Sequence, residues 1–181
     1  MKKILWILTA VLTLASCEKG QPWLEDPFEA FKSKKSYSPK SGMIWDIMPV
    51  DYVMVVTDAD GNNLFDESTP GNWLKTPFSA TFDGKEFQWP NERTKEYLAI
   101  LSGFYIYPSW YTLSEEVILR FGELDGTDTW DTDLCITWPD GSQDTIRLQH
   151  AFRWDKDGSP DTYTGFKVNG EAVEGIVRLT K

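Results

Sequence analysis

The fold of this chain is decided by residues 134–148, LCITWPDGSQDTIRL, where two runs of alternating apolar and polar residues flank a turn sequence. The central Pro-Asp-Gly is typical of a three-residue hairpin loop whose glycine adopts the left-handed conformation. Such a loop sets Leu134 opposite Ile146 and Ile136 opposite Asp144, so that the apolar faces of the two strands mostly coincide. The stretch therefore predicts an antiparallel β-hairpin.

Two other turn sequences predict hairpins by the same reasoning. Asp83-Gly84 forms a two-residue loop, and Asn169-Gly170 forms another, which leaves Val177 and Leu179 on the same face as the apolar residues of its hairpin. The predicted cross-strand pairs are Ala80 with Phe87, Phe78 with Trp89, and Phe166 with Val173. Three independent turns that each join apolar faces indicate a β-rich domain.

Further strands are expected at 52–57, which is apolar on both faces and so central in its sheet, at 117–124 and at 104–107. Residues 92–101 fit either a short helix or a strand. Short strands separated by close turn signals are typical of a β-sandwich or barrel. We therefore expect one all-β domain over residues 44–181.

The N-terminus has the layout of a secretory signal peptide. Two lysines precede an apolar run, residues 4–14, which is too short to span a bilayer. The run ends in Leu14-Ala15-Ser16-Cys17, which resembles the lipobox of bacterial lipoproteins. The resemblance implies that residues 1–16 are removed as a signal peptide. It also implies that Cys17 is lipidated and anchored in the outer membrane, facing the periplasm or the cell surface.

Residues 17–43 are rich in proline, glycine and lysine, and we expect them to form a tether between the lipid and the domain. One short helix is predicted inside the tether, with Asp26 as N-cap, Pro27 in the first position and Glu29 completing a capping box. A flexible tether of this length would hold the domain roughly 25–30 Å from the membrane surface.

Three short, turn-rich segments carry a second resemblance. VTDADGNNL at 56–64, FGELDG at 121–126 and WPDGS at 138–142 look like segments of small lipoproteins from Bacteroides-type bacteria. The last segment also resembles the Asp-Gly hairpin of immunoglobulin-like modules. These resemblances imply an exported, antiparallel, immunoglobulin-like β-sandwich, and they assign no catalytic residue.

The charge of the chain limits its partners. The net charge of −10 becomes −12 once the two lysines of the signal peptide are removed. A chain this acidic is poorly suited to bind nucleic acid, and its composition predicts no basic surface for anionic lipid. Membrane attachment is then expected to depend on the acyl chains alone.

Acidic residues at alternate positions in one loop suggest a calcium site. Asp155, Asp157, Ser159 and Asp161 offer oxygen ligands of the kind that calcium prefers, although Pro160 stands where a sharp turn favours glycine. The alternative is a solvated acidic loop. Apart from this candidate calcium, we expect no cofactor.

Aromatic residues are concentrated in FYIYPSWY, residues 104–111. Sugar rings stack on flat aromatic faces, so the candidate ligand-binding residues of a glycan platform are Tyr105, Tyr107, Trp110 and Tyr111. The alternative is that these rings belong to the core of the sandwich, where each buries about 150–250 Å².

Nucleophilic catalysis has little support in the sequence. With Cys17 lipidated, Cys135 is the only thiol, so no intramolecular disulfide can form, and we expect this thiol to be a small buried residue. His150, the only histidine, falls on the apolar face of its predicted strand, where a hydrogen-bonded core residue is expected. Because Cys135 falls on the other face of its strand, we expect no Cys-His pair and no catalytic residue.

The sequence thus favours a membrane-anchored, non-catalytic binding or accessory module whose partner is a glycan or an envelope component, and not a nucleic acid. Two alternatives stay open. One is a glycan hydrolase whose cleft holds two carboxylates about 5–10 Å apart. The other is a structural subunit that assembles through an apolar edge strand.

Overall fold

A computed structural model describes residues 26–90, 103–107 and 116–181. Its elements are α1 (Pro27–Lys32), β1 (Val50–Thr57), β2 (Phe78–Phe82), β3 (Lys85–Trp89), β4 (Phe104–Tyr107), β5 (Ile118–Leu124), β6 (Trp130–Thr137), β7 (Gln143–Trp154), β8 (Pro160–Val168), β9 (Glu171–Val173) and β10 (Val177–Thr180). The predicted helix or strand at 92–101 lies outside the described residues, as do Cys17, Trp110 and Tyr111.

The strands form two sheets that pack together as a β-sandwich. The four-stranded sheet has the order β10-β1-β5-β4, and the six-stranded sheet has the order β3-β2-β6-β7-β8-β9. Among the described strands, every pairing is antiparallel except that of β1 with β10. The prediction of an all-β, mainly antiparallel sandwich is therefore confirmed, including the central position of β1.

All three predicted hairpin registers are confirmed. The observed pairs include Leu134 with Ile146, Ile136 with Asp144, Ala80 with Phe87, Phe78 with Trp89, and Phe166 with Val173. The placement of Val177 and Leu179 beside the third hairpin was wrong. These residues belong to β10, which crosses to the four-stranded sheet and runs parallel to β1, so they reach the core from the opposite side.

Aromatic rings make up seven of the twenty buried residues in the described core between the sheets. Tyr52 of β1 is fully buried, with edge-on contacts to Phe82 and Phe121 at 6.0 Å between ring centroids. Phe104 of β4 meets Phe78 of β2 at 4.9 Å, which joins the two sheets. Fully burying one such ring contributes about 1.5–3 kcal/mol, so these edge-on aromatic pairs contribute substantially to the stability of the sandwich.

The predicted helix is confirmed as α1. Asp26 is its N-cap and accepts a hydrogen bond from the N–H of Phe28 at 2.9 Å, and Pro27 occupies the first turn. Phe28 and Phe31 are buried and pack on the outer face of the six-stranded sheet, against Ala151 and Tyr163. These two rings attach α1 to the domain.

After α1, the chain continues as an extended arm, residues 33–49, that wraps the tip of the β7–β8 hairpin. The N–H of Tyr37 donates to the carbonyl of Trp154 at 3.0 Å, and the N–H of Lys40 donates to the carbonyl of Gly158 at 3.1 Å. From Asp26 onward, two buried rings and these backbone hydrogen bonds therefore attach the predicted tether segment to the domain.

Candidate functional site

The predicted aromatic platform is not an open surface at Tyr105. This ring is buried, and its hydroxyl donates to a carboxylate oxygen of Asp51 at 3.0 Å. Burial, and then the charge of Asp51, raise the pKa of the Tyr105 hydroxyl. Asp51 also contacts the guanidinium of Arg120 and accepts the N–H of Glu123 at 2.6 Å. Tyr105 therefore belongs to a closed polar cluster and presents no face to a ligand.

Tyr107 lies two residues along the same strand and is half-buried. The guanidinium of Arg120 lies 4.8 Å from the centre of its ring, an arrangement typical of a cation–π contact. One ring face is thus in contact with protein, and the part of the platform that the structure describes offers little flat surface.

The candidate calcium loop is the turn between β7 and β8. The N–H of Asp155 donates to the carbonyl of Ser159 at 2.8 Å, and the hydroxyl of Ser159 donates to Asp157 at 2.6 Å. The N–H of Ser159 also donates to Asp157, at 3.0 Å, and these two hydrogen bonds, first that of the hydroxyl, hold the pKa of Asp157 below its ordinary value. The carboxylates of Asp155 and Asp161 both pair with Arg153.

Each acid in this loop therefore already has a protein partner. Over the residues that the structure covers, no group of three or more His, Cys, Asp and Glu side chains is placed to hold a metal ion.

His150 and Cys135 lie on different faces of the six-stranded sheet. His150 is buried, with Nδ1 2.8 Å from the hydroxyl of Thr164 and Nε2 3.0 Å from the carbonyl of Gly126. Both ring nitrogens are engaged, as expected of a hydrogen-bonded core residue. Cys135 is exposed, so the expectation of a buried thiol was wrong. Its position on the outer face of β6 follows from the alternation of that strand.

A groove beside α1, on the outer face of the six-stranded sheet, is the best candidate for a binding site. It encloses about 820 Å³, a volume in the range typical of small-molecule sites. Residues of α1, β7, β8, β9 and the segment after β9 line it, among them Asp26, Gln149, Tyr163, Gly165, Lys167 and Glu174.

Tyr163 provides the flat surface of this groove. It lies on the same face of β8 as Gly165, two residues away, and its hydroxyl lies 2.7 Å from where a Cβ of Gly165 would stand. The ring therefore lies across the glycine, and any side chain at 165 would displace it. Phe28 and Phe31 contact the ring at 5.8 and 6.1 Å between centroids. The ring remains half-buried, so part of it stays accessible.

Polar side chains of both signs surround this ring. Lys167 lies 3.5 Å from the second carboxylate oxygen of Asp26, whose first oxygen caps α1. Gln149 is buried on β7 and contributes an amide, while Glu174 is exposed at the rim. Sugars suit such a surface. A sugar ring can stack on the face of Tyr163, while its hydroxyl groups exchange hydrogen bonds with the surrounding amide, amine and carboxylates.

The sequence did not single out Tyr163. Its only local signal is Tyr163-Thr164-Gly165, in which an aromatic and a glycine share one face of a strand. The groove also requires α1 to dock on β7 and β8, a contact between segments about 120 residues apart that no local pattern encodes.

No helix among the described residues is long and apolar enough to cross a membrane. Comparison with protein-family models, with curated proteins and with solved structures gave no match, so the site is argued from this chain's own residues.

Proposed function

We propose that this protein is a lipid-anchored, non-catalytic binding module of the outer membrane that captures a glycan in the groove beside α1. The observation that carries the proposal is the ring of Tyr163, which lies across Gly165 and faces a cavity bordered by Lys167, Gln149 and Glu174. A second envelope component, such as a protein that bears the glycan, fits the same surface chemistry.

The groove supports binding better than hydrolysis. A glycosidase needs one carboxylate that is free to give up a proton and a second one opposite it. Both oxygens of Asp26 are engaged, one by the helix N–H and one by Lys167, and Glu174 is exposed at the rim. Cys135 and His150, the thiol and imidazole of the described residues, do not line the groove.

The location of the protein is part of the same proposal. The lipobox-like Leu14-Ala15-Ser16-Cys17 supports processing before Cys17 and attachment through its lipid.

The immunoglobulin-like character of the sandwich also stays a proposal, supported by the Asp140-Gly141 hairpin. Calcium at the β7–β8 turn has less support, because Arg153 and Ser159 already neutralise or hydrogen-bond its acids.

Assembly through an edge strand has no specific support. β9 covers only the last three residues of β8, so the preceding stretch, 160–165, is the longest open edge that the described strands show. Its exposed residues are Thr162 and Thr164 rather than apolar side chains. An edge strand that pairs with another chain for structural reasons is expected to present apolar residues.

The test is a glycan array with the purified mature chain, followed by calorimetry on any ligand found. Tyr163→Leu keeps apolar contact with α1 but removes the flat ring, and we expect it to weaken binding about tenfold or more, since ring stacking contributes on the order of 1–3 kcal/mol. Tyr163→Phe should bind like the unmodified chain. Tyr37→Leu is the matched control, because Tyr37 is exposed outside the groove. Empty arrays together with empty pull-downs from envelope extracts, or full binding by Tyr163→Leu, would overturn the proposal.

A further inference from the structure

The apolar residues of the arm are unusual in their exposure. Among the described residues, the exposed large hydrophobic side chains are Tyr37, Met43, Ile44 and Met48, all within one stretch of twelve residues. Ile44 is 99% exposed and Met48 is 71% exposed. Scattered exposed apolar residues are ordinary, but their confinement to one segment marks a contact surface.

The arm approaches the domain closely at two points, one on each side of Met43 and Ile44. At Lys40 it passes so close to Gly158 that a Cβ there would lie 2.5 Å from the Lys40 nitrogen. At Met48 it passes so close to Gly126 that a Cβ there would lie 2.2 Å from the Met48 carbonyl oxygen. Between these points, Trp45 contacts Trp154 at 6.3 Å between ring centroids. The exposed side chains are thus presented by a fixed loop.

The charge of the arm is opposite to that of the chain. Residues 33–49 contain three lysines and one acidic residue, Asp46, whereas the whole chain has a net charge of −10. The acids near the arm are Asp46, those of the adjacent hairpin tip, and Asp125 and Asp128, which lie beside Gly126 where the arm approaches it. Of the tip acids, two pair with Arg153, and Asp157 accepts hydrogen bonds from Ser159. The arm is thus locally basic, a feature that the overall composition averages over.

Lysines beside exposed aliphatic and aromatic side chains are typical of segments that lie in the headgroup region of a membrane. The position in the chain fits the same partner. Eight residues separate Cys17 from Asp26, so even a fully extended link spans only about 30 Å. If Cys17 is lipidated, the start of α1 therefore cannot lie farther than about 30 Å from the bilayer surface, which keeps the arm within reach of it.

We propose that the arm is a second membrane contact, in which Ile44, Met43 and Met48 enter the headgroup region while Lys34, Lys35 and Lys40 meet anionic lipid. This inference rests on the proposed lipid anchor at Cys17 and adds an orientation to it. The sandwich stands on the membrane through the tip of the β7–β8 hairpin, and the groove beside α1 is held at a fixed angle to the bilayer.

The first test separates the arm from the lipid. The mature chain, residues 17–181, is produced without the signal peptide and with Cys17→Ser so that it cannot be lipidated; it is mixed with vesicles of phosphatidylcholine, with and without phosphatidylglycerol, and sedimented. We expect binding to the anionic vesicles that Ile44→Asp weakens about tenfold or more. Gln143→Glu is the matched control. It adds one negative charge at an exposed residue at the opposite end of β7, and should leave binding unchanged.

The second test uses the lipidated chain in the same vesicles. An environment-sensitive fluorophore is attached at Ile44→Cys, and for comparison at Gln143→Cys, each in a Cys135→Ser background. We expect a blue shift on vesicle binding at position 44 and none at position 143. If the emission of the fluorophore at position 44 does not shift in the anchored chain, the proposal is overturned. It is also overturned if the emission shifts without vesicles and the shift grows with protein concentration, because the exposed residues would then bind protein.

Mass spectrometry of Cys17 decides the lipid anchor separately. If Cys17 carries no lipid, the proposed anchoring fails, while sedimentation of the Cys17→Ser chain still reports on the arm.

Discussion

The side-chain amine of Lys181 contacts the carboxylate of Asp144, and this ion pair joins the two sheets of the sandwich. Lys181 directly follows β10 of the four-stranded sheet, while Asp144 lies on β7 of the six-stranded sheet, and both side chains are 8% exposed. Asp144 also accepts hydrogen bonds from the indole of Trp138 at 2.7 Å and the amide of Asn169 at 2.8 Å. The carboxylate is thus fully partnered in a nearly buried site.

Removing the amine should destabilise the domain. Breaking a buried pair leaves an uncompensated charge, which costs about 3–5 kcal/mol when no other partner remains. Because Trp138 and Asn169 still donate to Asp144, we expect Lys181→Met to lower the free energy of unfolding by roughly 2–4 kcal/mol. Arg178→Met, three residues earlier on β10, is the control. The side chains of its pair with Glu116 are 59% and 33% exposed, against 8% each for Lys181 and Asp144, so its loss should cost about 0–1 kcal/mol. Urea unfolding of both variants makes the comparison, and equal losses would contradict a role for burial.

Asp144 should also make stability depend on pH. Burial alone would raise its pKa, but the hydrogen bonds from Lys181, Asn169 and Trp138 outweigh burial and hold the pKa below its usual range. A carboxyl whose pKa is lower in the folded state stabilises the fold above its unfolded pKa of about 3.9, and loses that contribution as the pH falls through the folded value.

We therefore expect the unmodified chain to lose stability between about pH 5 and pH 2 more steeply than Asp144→Asn. Other partnered carboxylates contribute to the acid limb in both proteins, so the difference between the two curves isolates Asp144. Parallel curves from urea titrations at each pH would show that Asp144 contributes nothing to the acid limb.

Local turn chemistry explains why so much of the fold was predictable. Each confirmed hairpin is closed by a short loop, so the register follows from adjacent residues, as with Ala80 and Phe87 around Asp83-Gly84. The destination of β10 was not predictable in this way. Val177 and Leu179 are apolar at alternate positions in either sheet, and only their pairing with β1, more than a hundred residues earlier, decides between them.

The candidate site was harder to predict for the same reason. The density of aromatic residues at 104–111 made Tyr105 a candidate. In the structure its ring is buried, and its hydroxyl donates to Asp51 on β1 of the same sheet. Tyr163 stands alone in its segment, and becomes part of a groove only because Phe28 and Phe31 of α1 dock beside it. The net charge of the whole chain likewise does not indicate that the arm is basic, because acids elsewhere in the chain outnumber its lysines.

Docking of the arm can be tested at Gly158. Gly158→Ala meets a positive φ of 79° and a clash with the Lys40 backbone, whereas Gly141→Ala meets a φ of 82° in open space. We expect Gly141→Ala to cost about 1–2 kcal/mol from strain alone, and Gly158→Ala to cost roughly 1–3 kcal/mol more. If the arm is displaced, trypsin should cleave after Lys35 and Lys40 faster in Gly158→Ala than in Gly141→Ala. Equal cleavage would mean that the close approach at Gly158 does not hold the arm.

The thiols offer a test that reaches from Cys135 back to Cys17. Cys135 is exposed on the outer face of β6, with its sulfur 3.7 Å from the hydroxyl of Thr145, so it should react with a thiol reagent in the folded protein without denaturant. Lipidation converts the thiol of Cys17 into a thioether, which no longer reacts. The mature chain from membranes should therefore titrate as one thiol per chain both folded and in denaturant, and a Cys135→Ser variant as none. A second reactive thiol in the mature chain would contradict lipidation at Cys17, whereas a thiol that reacts only after unfolding would contradict the exposed position of Cys135.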